Sequence, residues 1–229
     1  MQVYIDSLLE GARNSRGTTV VIDVFRAFST AAVAFSRGAH KILLTAEPDE
    51  ALALRAQGAG QLCMGEVGGE RPPGFDFGNS PHELSLADVA GKTLIQSTRA
   101  GTVGVCAVPA GRPIFAAALM TASATARAIL QTTPVEVTLV PMGKNAARRT
   151  DEDEVCALYL RNLLQGRTPE ADAAVRMILA SEEAVKYGDP RYPYLHPRDL
   201  TLATSVDAFD FAVRVEQEGG LPVARRVDV

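Results

Sequence analysis

Short runs of β-branched and aliphatic residues alternate along this chain with Ala-rich segments of helical period, and few folds accept such an order. Thr18–Val24 and Lys41–Thr45 read as buried strands, with a helix over Ala27–Arg37 between them. Pro48–Gln57 reads as a helix that Pro48 starts and Gly58 stops. Gln61–Met64, Thr93–Ser97, Pro113–Ala116 and Val135–Val140 are the next expected strands, with helices over Gly101–Ala107 and Thr121–Gln131. Asp151–Gln165 and Glu170–Leu179 follow as successive helices, and Phe209–Val215 and Leu221–Val227 as strands closing the sheet. This alternation predicts an α/β fold of three layers, α/β/α, with a mostly parallel or mixed central sheet. No linker, repeat or low-complexity tract divides residues 1–229, so one domain is expected.

Charge and cysteine usage narrow the function classes. The net charge is -4 and no basic stripe is present, which argues against a nucleic-acid partner. Cys63, Cys106 and Cys156 are far apart and form no C-x-x-C pair, a pattern of a reducing compartment without a zinc site. Met1–Leu9 has no basic region followed by an apolar stretch, and the most apolar runs are broken by charge or Gly before spanning length. The expectation is a cytoplasmic protein with no membrane partner.

In open α/β sheets ligands bind beyond the carboxyl ends of the strands, so the residues after each strand matter most. Asp23 and Arg26 follow the first buried run, and Glu66 follows Gln61–Met64 within a long Gly- and Pro-rich stretch, Gly65–Pro81, that also holds Asp76, Asn79 and Ser80. A loop of that length inside a compact domain is usually functional. Thr98, Arg99, Gly101 and Thr102 follow Thr93–Ser97 and resemble an anion cradle at a helix N-terminus. Gly143-Lys144-Asn145 follows Val135–Val140, and the acids Asp151, Glu152, Asp153 and Glu154 come next. Asp23 is either a metal ligand or nucleophile, or an acceptor capping the next helix. Arg26 either neutralises Asp23 or binds a substrate anion. The four acids either complement a helix dipole, with Thr150-x-x-Asp153 as a capping box, or turn inward to hold a hard cation. Tyr187–Pro197, rich in Tyr and Pro, suits a lid or an oligomer contact, so a homodimer stands among the expectations.

Several familiar chemistries lack their motifs. There is no G-x-x-x-x-G-K-[ST] loop, no G-x-G-x-x-G fingerprint and no G-x-S-x-G elbow. Phe25 stands two residues after Asp23, where a haloacid-dehalogenase phosphatase has a second Asp. Cys106 and Arg112 match C-x5-R, a spacing common enough by chance to be set aside. His40, His82 and His196 are isolated and read as non-ligands.

Taken as a set, V-I-D-V-F-R-A (Val21–Ala27), G-E-V-G-G (Gly65–Gly69), G-F-D-F-G-N-S-P (Gly74–Pro81), T-R-A-G-T (Thr98–Thr102) and D-E-D-E-V-C-A (Asp151–Ala157) resemble the 2-phosphosulfolactate phosphatase family. The likeness runs from about Gln2 to Gly166 and is weaker beyond. It implies an α/β fold, a Mg²⁺ cofactor and hydrolysis of (R)-2-phospho-3-sulfolactate to sulfolactate and phosphate, a step of coenzyme M synthesis. Asp23, Arg26, Glu66, Asp76, Asn79, Ser80, Thr98, Gly101, Thr102, Glu152 and Asp153 match the family pattern. The expected sorting puts Asp23, Glu66 and Asp153 on the metal and Asp23, Arg26, Asp76 and Glu152 in catalysis. Arg26, Asn79, Ser80, Thr98, Arg99, Gly101 and Thr102 would then meet a small anionic phosphoester. Two departures stand out: Val67 occupies a position where the family often has Arg, and Arg99-Ala100 replace an Asn in the cradle. An anion contact moved to Arg99 or Arg71 would account for them. Two alternatives follow: a phosphatase for another small phosphorylated hydroxyacid, or a non-catalytic anion-binding protein on this scaffold.

Overall fold

The structure, a computed structural model, describes residues 1–229. The apolar runs become strands that are buried along their whole length: β2 (Thr18–Ile22), β5 (Thr93–Ser97) and β6 (Ile114–Ala117) show no exposed residue. With β1 (Gln2–Ile5), β3 (Lys41–Thr45), β4 (Leu62–Gly65), β7 (Glu136–Pro141), β8 (Phe211–Glu218) and β9 (Leu221–Asp228) they form one sheet in the order β1-β7-β2-β6-β8-β9-β3-β5-β4. The α/β class and the mixed sheet are as expected. The place of β8 and β9 is not: they lie in the middle of the sheet, not at its edge. They form a hairpin turned by Gly219 and Gly220, both at positive φ, which only glycine adopts freely.

This hairpin joins two parallel blocks. β1, β7, β2 and β6 are parallel to one another, as are β3, β5 and β4. The pairings β6–β8, β8–β9 and β9–β3 are all antiparallel, so the blocks run in opposite directions along the sheet. A flat sheet would put their carboxyl ends at opposite edges. Five neighbour steps separate β2 from β5, and strand twist of about 20–25° per step accumulates to about 100° or more. The coiling brings the ends of β2 and β5 into contact, as the bond from Gly101 N–H to Asp23 shows.

Helices cover both faces of each block, and the coiled sheet encloses some of them. α2 (Ala27–Ser36) carries no charge and is buried at nine of its ten positions. α5 (Gly101–Ala107) packs on β2 and β6 of one block and on β3 and β5 of the other. α1 (Leu8–Arg13) and α4 (Pro81–Leu86) complete this inner layer around a core that includes Phe28, Phe35, Leu94 and Phe211. Outside the first block lie α6 (Ala122–Gln131), α7 (Asp151–Leu164) and α8 (Ala171–Leu179). Outside the second lies α3 (Pro48–Ala56). α9 (Pro197–Ala203) packs on α4. No helix is long and apolar enough to cross a membrane.

Candidate active site

β2 delivers Asp23 to the junction of the two blocks, where α2 and α5 begin. Its carboxylate is 4% exposed. Oδ1 accepts from Ala27 N–H at 2.9 Å and Oδ2 from Gly101 N–H at 2.8 Å. Burial pushes its pKa up to about 6, the charge of Glu66 adds to the rise, and the Ala27 and Gly101 bonds oppose it. Glu66 follows β4 and is held in the same way, with Oε1 accepting from Arg99 N–H at 2.7 Å and Oε2 from Gly69 N–H at 2.7 Å. The amides of the expected anion cradle are therefore spent on the protein's own acids. Thr98 and Thr102 bond each other, Thr98 N–H donating to Thr102 Oγ1 at 2.8 Å and Thr102 N–H to Thr98 Oγ1 at 3.2 Å. This corrects the cradle: it holds Asp23 and Glu66, and its hydroxyls face each other.

Gly101 is required by close packing. A Cβ there would stand 2.9 Å from Asp23 Oδ2 and 2.9 Å from Ala27 Cβ. Gly101→Ala is expected to destabilise the fold by about 1–3 kcal/mol through overpacking, with a matching loss of activity as Asp23 shifts. Urea unfolding read beside an assay checks both.

From the first turn of α7 come two more acids. Asp153, 2% exposed, lies behind the cavity, its Oδ1 accepting from Val24 N–H at 2.7 Å and its Oδ2 from Gly143 N–H at 2.8 Å. Burial and the charges of Glu152 and Asp23 push its pKa well up. Glu152, 3% exposed, lines the cavity, and its Oε2 has no partner. Burial pushes it up to about 7, with Glu183 and Asp23 contributing. The capping-box expectation fails, since the Thr150 side chain makes no cap bond.

Asp23, Glu66, Glu152, Arg26 and Asn79 line one cleft of about 800 Å³ measured to its open mouth. Lys144, Asn145 and Lys186 stand in its wall, and Tyr187, Tyr192 and Tyr194 line it from the segment expected as a lid or an oligomer contact. That segment lies close because Gly69, at φ +93, leaves room for the Tyr194 ring where a Cβ would collide. Tyr187 meets Phe25 edge-on at 5.3 Å.

Arg26 is buried and does not pair with Asp23. Its Nη1 donates to Asp199 at 2.9 Å and to Tyr194 O at 2.8 Å, and its Nη2 to Gly69 O at 3.2 Å. Asp199 was not anticipated: it lies 173 residues from Arg26 in a region without motif signal. Lys186 and the tyrosines were likewise unassigned, although Tyr187–Pro197 stood out as irregular.

Other expected site residues lie elsewhere. Asp76 does not line the cleft; its Oδ2 accepts from Cys63 N–H at 2.7 Å and Arg55 at 2.8 Å, which anchors the Gly-rich loop. The Arg99 guanidinium reaches Glu47 at 3.1 Å, and only its backbone serves the site. Arg71 lines an adjoining groove and bonds Asp76 O at 3.2 Å. Ser80 caps α4, accepting from Glu83 N–H at 3.1 Å, and donates to Asp199 at 2.7 Å. Cys106 and Arg112 line no part of the cleft.

A model of the 2-phosphosulpholactate phosphatase family matches residues 4–191. The chain belongs to that family. A relative from Bacillus subtilis (strain 168), named "Probable 2-phosphosulfolactate phosphatase", is 31% identical over 209 residues, 91% of each chain. One of the same name from Deinococcus radiodurans is 35% identical over 172 residues, 75% of this chain and 71% of its own. A third, from Thermosynechococcus vestitus, is 29% identical over 212 residues, 92% and 85% of the two chains. The family match runs from within β1 to the start of the tyrosine segment, and so takes in every cleft residue up to Lys186 and Tyr187 but not Tyr192, Tyr194 or Leu195.

The acids also bear on the Mg²⁺ expectation. No three acid, His or Cys side chains form a ready ligand set. Mg²⁺ needs one or two carboxylates and keeps several waters. Asp23 and Glu66 supply two carboxylates of like charge, each oxygen fixed by one backbone N–H, and Glu152 Oε2 is a buried oxygen without a partner. The carboxylate oxygens of Asp23 and Glu66 are of the donor type that a hard cation takes. Asp153, whose two oxygens hold backbone amides behind the cleft, is the weaker member of the expected trio.

Proposed function

We propose that this chain is a Mg²⁺-dependent phosphoric monoester hydrolase that converts 2-phospho-3-sulfolactate to 3-sulfolactate and phosphate. The observation that carries the reading is the convergence of Asp23 and Arg26, Glu66, and Glu152 on one cleft from three separate segments. Asp23 and Glu66 would hold the ion, which when bound supplies positive charge to polarise the phosphoryl group. Arg26 binds a phosphoryl oxygen and neutralises charge that grows during transfer. Glu152, with its pKa raised by burial to about 7, carries an exchangeable proton at Oε2 near neutral pH and suits proton transfer to the leaving oxygen. Asn79, buried with its Oδ1 unpartnered, orients the substrate. Lys144 and Lys186 stand in the wall beside Glu183, which pairs with Lys186 at 2.7 Å and Lys144 at 3.9 Å, and an anionic group of the substrate would compete with that carboxylate for them. The tyrosine segment limits water access.

A second reading, a phosphatase for another small phosphorylated hydroxyacid, is favoured by one feature. Val67 is 47% exposed and lies outside the cleft, so the family's frequent Arg has no substitute from Arg99 or Arg71 there. Phosphate release from phosphosulfolactate, phosphoglycerate and phosphoglycolate decides between them. The expected result is a preference of about tenfold or more for the sulfonate, equal to about 1.4 kcal/mol, lost on chelation of divalent ions. Equal rates would select the second reading. Ligand binding without turnover in excess Mg²⁺ would point to the non-catalytic alternative.

A further inference from the structure

We infer that Asp199 is a positioning residue that sets the angle of the Arg26 guanidinium in the cleft. The inference rests on the phosphatase reading for its kinetic arm only.

Asp199 sits in the first turn of α9, is fully buried and does not line the cleft. Both its oxygens are fixed. Oδ1 accepts from Ser80 Oγ at 2.7 Å and from His82 N–H at 2.9 Å, and Oδ2 accepts from Arg26 Nη1 at 2.9 Å. It is the only carboxylate in ion-pair contact with Arg26, and a buried guanidinium left without one is strongly disfavoured.

A guanidinium has five N–H donors. Asp199 and Tyr194 O take the two on Nη1, and Gly69 O takes one on Nη2. The Nε–H and the other Nη2 hydrogen have no protein acceptor, while the side chain lines the cleft. Two free donors on one guanidinium are what a bidentate grip on a phosphoryl or sulfonate oxygen pair needs. The Gly-rich loop, the tyrosine segment and α9 thus converge on one face of Arg26 and leave the other for ligand. Asp199 supplies the charge in that arrangement, and Ser80 and His82 hold Asp199.

The test is a double-mutant cycle of Asp199→Asn and Arg26→Ala, read as kcat/KM on phosphosulfolactate and as affinity for inorganic phosphate by calorimetry. Asp199→Asn keeps the shape but presents an amide where a charge stood. It is expected to lower both quantities about 10- to 100-fold and to add nothing in the Arg26→Ala background. A folded Asp199→Asn protein with unchanged phosphate affinity, or losses that simply add to those of Arg26→Ala, would overturn the inference. Should Asp199→Asn not fold, Ser80→Ala loosens one bond on Asp199. A smaller loss that vanishes in the Arg26→Ala background supports the inference, and no loss overturns it. A wild type that turns over no phosphoester, yet binds phosphate with this non-additivity, removes the phosphatase reading and keeps the positioning role. A wild type that does not bind phosphate removes both.

Discussion

Asp23→Asn is expected to abolish Mg²⁺-dependent phosphate release, by roughly a hundred- to ten-thousand-fold, while the protein stays folded. The new side chain offers one acceptor oxygen where two amides, Ala27 and Gly101, each now bond a carboxylate oxygen. One of those N–H groups would face an NH₂, and the charge opposite Glu66 disappears. Purified protein, checked by circular dichroism and assayed with and without Mg²⁺, decides the matter. Undiminished release would take Asp23 out of the mechanism and with it the proposed ion site.

Raising the pH from 5 to 8 is expected to weaken the metal-free fold substantially. The sign follows from the direction of the shifts. Asp23 rises from 3.8 to about 6 and Glu152 from 4.5 to about 7, burial being the main cause for both. A carboxyl with a folded pKa above its unfolded value favours folding while it is protonated in both states. That contribution is lost as pH climbs through the folded value. For Glu152 the loss is on the order of 3 kcal/mol, developing between about pH 4.5 and a little above 7. Thermal melts in chelator across this range should show a falling midpoint. Mg²⁺ should restore it at pH 8, by about 2.7 kcal/mol at a hundred times its Kd, and do little at pH 5, where the acids hold protons. A melt indifferent to pH and to Mg²⁺ would contradict both the burial of these acids and the ion site.

Much of the local fold was legible because its signals are local. Lys41–Thr45 and Thr93–Ser97 carry short aliphatic centres, Ile42-Leu43-Leu44 and Leu94-Ile95, between polar residues, and the strands have those limits. A helix begins at Gly101 as expected and ends at Ala107. The short strand Gln2–Ile5 escaped because one exposed and three half-buried residues carry no period. Sheet order was hidden for a different reason: Phe211–Glu218 and Leu221–Asp228 read as strands, but nothing in their residues names their neighbours.

The candidate site divides along the same line. Asp23, Glu66 and Glu152 line one cleft, and their convergence was legible because acids at strand ends and helix starts are placed by the chain itself. Thr98 and Thr102 were misread because each hydroxyl accepts the other residue's backbone N–H before any ligand does. Asp76 and Arg99 each found a surface partner, Arg55 and Glu47, that no spacing rule predicts. Asp199 depends on a contact between distant segments, which only the folded chain reveals.

The hairpin at the centre of the sheet has a consequence for how the molecule is made. Residues 211–228 leave the ribosome after both parallel blocks have been synthesised. Until they arrive, β6 and β3 each present an open row of backbone donors and acceptors, the kind of edge on which chains stick to one another. Final assembly inserts the last-made strands between two waiting half-sheets, a slow step of large sequence separation. Losing those strands would unseal the middle of the protein and separate Asp23 on one half from Glu66 on the other.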